Sequence, residues 1–120
     1  MNDGGTICGD VGWPLEAVVW TDAESLILHC IKDAPVNTAQ DVNNAGVIVG
    51  WGGQGVGWCE AVVWPNAAAR MVLLSKVLGR NSPFFLLVEA TAVNDVGAVV
   101  GYGIVGANGV PDAAFLAIPE

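Results

Sequence analysis

Charge is what this sequence has least of. Only 13% of its 120 residues are charged, about half the usual share. Four are basic: Lys32, Arg70, Lys76 and Arg80. So few cations cannot displace the counterions of a nucleic acid, which argues against nucleic-acid partners. The same shortage argues against an anionic membrane surface. Histidine is nearly absent too. His29 stands alone, so one chain cannot build a multi-histidine metal centre, and no metal or cofactor is expected. Cys8, Cys30 and Cys59 form no C-x-x-C pair, which speaks against a zinc knuckle or a redox motif. No apolar run approaches the roughly 18 residues of a membrane helix. Met1-Asn2-Asp3-Gly4-Gly5 lacks the basic and apolar regions of a signal peptide, so a cytoplasmic location is expected.

The chain is rich in short apolar runs and in glycine. Hydrophobic residues make up 53% and there are 16 glycines. With a net charge of −8, the acidic balance keeps so apolar a chain dissolved. The runs repeat. Asn2-Asp3-Gly4-Gly5-Thr6-Ile7-Cys8-Gly9 returns as Asn43-Asn44-Ala45-Gly46-Val47-Ile48-Val49-Gly50 and as Asn94-Asp95-Val96-Gly97-Ala98-Val99-Val100-Gly101. A second phrase, Glu16-Ala17-Val18-Val19-Trp20, returns as Glu60-Ala61-Val62-Val63-Trp64 and, more loosely, as Ala113-Ala114-Phe115-Leu116-Ala117. Gly9, Gly50 and Gly101 are spaced by 41 and 51 residues, which suits a four-stranded propeller blade better than a solenoid rung.

The predicted fold is therefore all-β: one repeat domain of about 2.5–3 blade-like antiparallel units, at residues 1–37, 38–88 and 89–120. Val, Ile, Trp, Tyr and Phe crowd runs bounded by Gly, Asn, Asp and Pro. Within a unit, strand a is typified by Thr91-Ala92-Val93 and strand b by Val-Val-Gly. Strand c is the Ala-Val-Val-Trp run, and strand d is Leu26-Ile27-Leu28 or Met71-Val72-Leu73-Leu74. The chain should run b-c-d, a-b-c-d, a-b-c. Asn94–Gly97 should turn strand a into strand b, because Asn and Asp bond back to the backbone and Gly accepts positive φ. Asn108-Gly109 marks another turn. Residues 66–71 could make a helical turn, and 79–85 read as an insertion. Each strand glycine, Gly9, Gly50 and Gly101, should lie under a large neighbouring side chain such as Trp20 or Trp64.

These phrases resemble the HAF-type repeat family of bacterial, often extracellular proteins. That repeat reads roughly Ile-Asn-Asn-x-Gly-x-Val-Val-Gly followed by His-Ala-Phe-Leu-Trp. Its counterparts here are Val42-Asn43-Asn44-Ala45-Gly46-Val47-Ile48-Val49-Gly50 and Glu60-Ala61-Val62-Val63-Trp64. The histidine is replaced by Glu16, Glu60 and Ala113. The resemblance implies a propeller-like architecture and no catalytic residue, and it leaves an extracellular location open.

Several constellations invite chemistry. Gly50-Trp51-Gly52-Gly53-Gln54-Gly55 and Gly101-Tyr102-Gly103-Ile104-Val105-Gly106 match G-x-G-x-x-G. A dinucleotide site would need a helix to start there; strand-like sequence follows, so glycine hairpin loops are expected. Glu16 and Glu60 could act as paired carboxylates on a sugar, or be a by-product of duplication. His29 and Cys30 are adjacent, so on a strand they point to opposite faces. Asn43-Asn44, Asn94-Asp95 and Asn2-Asp3 offer too few carboxylates for Ca²⁺ and read as turn formers. Trp13 and Trp58 lie in Gly-flanked loops just before strand c and could make a flat platform, with Glu16 and Glu60, for a sugar or other small ligand.

Propellers close with 4–8 blades. Three units leave bare edges and faces, so the expected partner is a second copy of the chain, with two chains completing six blades. The expected function is that of a self-associating, non-enzymatic repeat module that binds a ligand or partner. A carbohydrate hydrolase and a purely structural repeat remnant are the alternatives.

Overall fold

A computed structural model describes residues 1–22, 24–55, 58–77, 86–105 and 113–119. Its described residues form three antiparallel sheets. Blade 1 contains β1 (Ile7–Val11), β2 (Glu16–Trp20) and β3 (Ser25–Ile27). Blade 2 contains β4 (Val36–Val42), β5 (Ile48–Gly55), β6 (Trp58–Trp64) and β7 (Val72–Leu73), followed by a four-residue helical turn, α1 (Leu74–Val77). Blade 3 contains β8 (Leu86–Val93), β9 (Val99–Ile104) and β10 (Ala113–Ala117). Sheet order follows chain order in each. The expected succession b-c-d, a-b-c-d, a-b-c is the one observed.

The three repeated turns fold alike because the sequence meets the same geometric demand three times. In each, the first asparagine's carbonyl accepts the N–H of a glycine three residues on, at 3.1, 3.2 and 3.0 Å. Those glycines, Gly5, Gly46 and Gly97, have φ of 83°, 89° and 86°, a region that a side chain disfavours. Some local expectations shift. The second strand d is only Val72–Leu73, because Leu74 begins α1. Residues 66–69 form a turn instead of a helix: Asn66 Oδ1 accepts the Ala68 N–H, and its carbonyl that of Ala69. The glycines of both G-x-G-x-x-G matches that can be placed lie inside β5 and β9, not in hairpin loops. The Asn108-Gly109 turn and the 79–85 insertion lie outside the described residues.

The blades stack face to face in one sense. Pairing sets the faces: Ile48 lies opposite Trp64 and Gly50 opposite Val62, while Val49 lies opposite Val63 and Trp51 opposite Ala61. Ile48, Val62 and Trp64 join a core with Ala17 and Val19 of blade 1, against which Cys8 also packs. Val49 and Ala61 join a second core with Leu87, Val99 and Phe115 of blade 3. Blade 2 thus buries both faces. Side chains alternate across a strand, so the opposite face of blade 1 carries Ile7, Gly9, Val11, Val18, Trp20 and Ile27. The far face of blade 3 carries Val100, Tyr102, Ala114 and Leu116.

The strand glycines have different causes. A Cβ on Gly9 would lie 3.1 Å from the Trp20 ring, the aromatic cover expected. At Gly50 the nearest obstacle is backbone, because the added Cβ would fall on the Thr38 carbonyl oxygen. That carbonyl is turned inward where β4 bulges between Ala39 and Asp41. Blade 3 repeats the arrangement: a Cβ on Gly101 would fall on the Glu89 carbonyl oxygen beside a bulge between Ala90 and Ala92, with the Phe115 ring at 2.7 Å. Blade 1 has no such strand before β1 among the described residues, hence no such carbonyl. Gly50→Ala should therefore lower stability by about 3 kcal/mol, and Gly9→Ala by about 1 kcal/mol because only a ring must shift. Urea unfolding of the two variants measures the difference; equal losses would contradict it.

Candidate functional site

The residues that do most in this structure are the repeated asparagines. Each first asparagine uses its side-chain oxygen locally. Asn2 Oδ1 accepts the Thr6 N–H at 2.9 Å, Asn43 Oδ1 that of Val47 at 2.8 Å, and Asn94 Oδ1 that of Ala98 at 2.8 Å. The amide nitrogen faces the next blade. Asn2 Nδ2 donates to the Asn43 carbonyl and Asn43 Nδ2 to the Asn94 carbonyl, both at 2.9 Å. One side chain thus closes its own turn and ties it to its neighbour.

A second ladder runs alongside, one residue on. The Asp3 N–H donates to Asn44 Oδ1 at 2.6 Å, and the Asn44 N–H to Asp95 Oδ1 at 2.9 Å. Asn44 Nδ2 bridges both carboxylates, reaching Asp3 Oδ2 at 2.9 Å and Asp95 Oδ2 at 2.8 Å. Hydrogen bonds to carboxylates are stronger than neutral ones. The acid–amide–acid order is what allows it: the amide has donors for two acceptors, and three acids in a row would have none.

Two further ties were not foreseen. Buried Asn37 on β4 accepts the Ala17 N–H of blade 1 at 2.8 Å and donates to the Ala34 carbonyl at 3.0 Å. Asp41 Oδ2 accepts the Val93 N–H of blade 3 at 2.9 Å. The sequence did carry a signal for the ladders. Position three of the turn varies freely, as Gly4, Ala45 and Val96, while position one is always Asn and position two alternates Asp, Asn, Asp. Turn formation alone does not demand that alternation.

Comparison with known protein families, curated proteins and solved structures finds no match to this chain.

The other candidate residues are scattered. Trp13 is 82% exposed, in the turn between β1 and β2. Trp58 opens β6, and its side chain lies outside the described set. Glu16 is exposed and Glu60 half-buried. They hold equivalent positions on successive blades, Glu16 opposite Val11 and Glu60 opposite Gly52. Glu16 therefore belongs to the outer face of blade 1, while Glu60 is on the face that meets blade 1. The first sheet stands between them, which does not favour a carboxylate pair acting on one bond. Trp64 is fully buried, its indole N–H donating to the His29 carbonyl at 3.0 Å. Trp20 is half-buried on the outer face of blade 1. His29 and Cys30 side chains are both exposed. Among the described residues, no three of His, Cys, Asp and Glu cluster as metal ligands would, and no helix is long and apolar enough to cross a membrane.

Burial raises the pKa of the Cys8 thiol above its ordinary value; burial and then the Glu89 charge raise that of Cys59. Only the thiolate is a good nucleophile. Alkylation near neutral pH should therefore label exposed Cys30 first, read by peptide mass spectrometry; faster labelling of Cys8 or Cys59 would contradict their burial. The ladder yields a stability prediction. Removing the buried Asn43 side chain orphans the Val47 N–H and severs the tie to blade 3. Asn43→Ala should cost about 2–4 kcal/mol, and Asn94→Ala, which within one chain loses its own turn bonds alone, about 1 kcal/mol. Urea titration that finds the two equal would argue against the inter-blade bond.

Proposed function

We propose that this chain is a non-enzymatic β-repeat module that associates with itself into a closed oligomer and presents its turns to a ligand or partner. The observation that carries the reading is the fate of the blade faces. Blade 2 buries apolar side chains on both sides, while blades 1 and 3 leave Ile7, Val11, Ile27, Val100, Tyr102 and Leu116 exposed on their outer sides. Exposed apolar patches of this kind mark association surfaces. Two chains would supply six blades, within the range in which propellers close, and the likeness to HAF-type repeats points the same way. Light scattering on the pure protein at micromolar concentration should give twice the 12.3 kDa chain mass. A stable monomer would contradict the reading.

Exposed Trp13 supports the ligand-binding half of the proposal. An aromatic ring held out on a turn offers a flat surface to a sugar or small apolar molecule. Glu16, also exposed, begins the strand that follows this turn. Titration with soluble oligosaccharides should change tryptophan fluorescence, and Trp13→Ala should abolish the change. A response that survives Trp13→Ala would remove this ring from the binding surface.

A further inference from the structure

Resting on the self-association reading, we propose that the partner is a second copy joined head to tail. In this junction the outer face of blade 3 packs on the outer face of blade 1 of the next chain, and the asparagine ladder continues from Asn94 to the next chain's Asn2. Two features point to this junction, and their directions agree.

The faces correspond residue by residue to ones already packed inside the chain. At the blade 2–blade 3 interface, Val49, Trp51, Ala61 and Val63 of blade 2 face blade 3. Their repeat equivalents in blade 3 are Val100, Tyr102, Ala114 and Leu116, its outer face. Val49 is 0% exposed, and Val100 is 41% exposed. At the other end, Ile48, Val62 and Trp64 of blade 2 face blade 1. Their equivalents in blade 1 are Ile7, Val18 and Trp20. Ile48 is 1% exposed and Ile7 46%; Val18 is already buried and Trp20 half-buried, so Ile7 is the part of this trio left to cover. Blade 3 therefore presents one half of an interface whose other half is on the outer side of blade 1.

The ladder ends are complementary in hydrogen bonding. Among the described residues, Asn94 Nδ2 and the Asp95 N–H donate to nothing. At the head, among the described residues, the Asn2 carbonyl accepts only the Gly5 N–H, whereas the Asn43 carbonyl accepts both Gly46 and Asn2. Asp3 Oδ1 is also unused, since Asn44 Nδ2 goes to Oδ2. The tail thus offers two donors where the head offers two acceptors, in the order the inner rungs use. Two tails would oppose donor to donor, and two heads acceptor to acceptor, so the pattern disfavours joining like ends.

The direction is also consistent. Faces and ladder both run from blade 1 to blade 3, so one placement of the next chain satisfies both. The junction differs from the inner ones in two respects: among the described residues blade 1 has no counterpart of β4 or β8, so the ties made by Asn37 and Asp41 have no equivalent there, and no Asn44-like amide lies between Asp95 and the next chain's Asp3. Those two carboxylates would repel each other at close range, so the association is measured at about 0.15 M salt and again at higher salt, where the repulsion is weaker.

The test uses two chain variants that each spoil one end. Val100→Lys blocks the tail and Ile7→Lys the head; both positions are exposed, so the monomer fold should tolerate them, with far-ultraviolet circular dichroism as the check. Each variant alone should be monomeric by light scattering. Mixed one to one, they should form a dimer containing one of each, because one intact junction remains. Either variant alone keeping the wild-type mass overturns the head-to-tail arrangement in favour of like ends, as does a folded mixture that stays monomeric while wild type associates. Monomeric wild type instead sinks the self-association reading itself. Asn94→Asp provides a check that spares the fold, since it keeps the oxygen that closes its own turn and puts a charged acceptor where the outward donor was. It should weaken association at least roughly tenfold, the size of one net hydrogen bond with the added repulsion on top; unchanged affinity would remove the ladder from the junction.

Discussion

The structure depends on a carboxamide having two different ends. Asn43 spends its oxygen on the Val47 N–H of its own turn and its nitrogen on the Asn94 carbonyl of the next. An aspartate could do the first and not the second, and a serine would lack the reach for both. Because Asn43 is buried, leaving either end unpaired would cost more than the bond itself returns. Turn shape and blade spacing are therefore set by one side chain. The neighbouring Asp3–Asn44–Asp95 rung repeats this logic at the surface, with the amide between two acids.

The sheets answer to the ladder. With the turns fixed side by side, β4 and β8 lie where successive blades meet; β4 bulges once and β8 twice. The bulge turns a carbonyl toward the following strand, and only a glycine, Gly50 or Gly101, leaves room for it. What looks in sequence like a flexible, glycine-rich motif is a place where two backbones approach too closely for a Cβ. The apolar faces then pack in a single sense, so each blade completes the one before it and exposes a fresh face of its own. Such an array has no natural end within itself.

Much of this was legible in the sequence. Strand order and the turns follow from three phrases in fixed order, because β-branched runs bounded by Asn and Gly leave few alternatives. The site was less legible. Asn2, Asn43 and Asn94 could be read as turn formers, since the oxygen half of their work is local. The nitrogen half depends on blade spacing, which no local pattern reveals. The same holds for Asn37, whose partners are 20 and 3 residues away, and for the backbone cause of Gly50. Trp20 over Gly9 was foreseen because ring and glycine belong to adjacent strands of one hairpin; Thr38 over Gly50 was not, because a bulge is a register slip that side-chain alternation does not show. Glu16 and Glu60 looked paired in sequence, yet equivalent positions on stacked sheets are kept apart by the stacking that makes them equivalent.

Amide hydrogen exchange on the intact protein tests the primacy of the ladder most directly. The Asn44 N–H lies at an exposed turn and is held by Asp95 of another blade. It should exchange slowly, in step with the Val47 and Ala98 amides and with the paired strands of blade 2. Exchange at the rate of a free surface turn, while the strands stay protected, would mean that packing alone holds the blades together and that the asparagines merely decorate them.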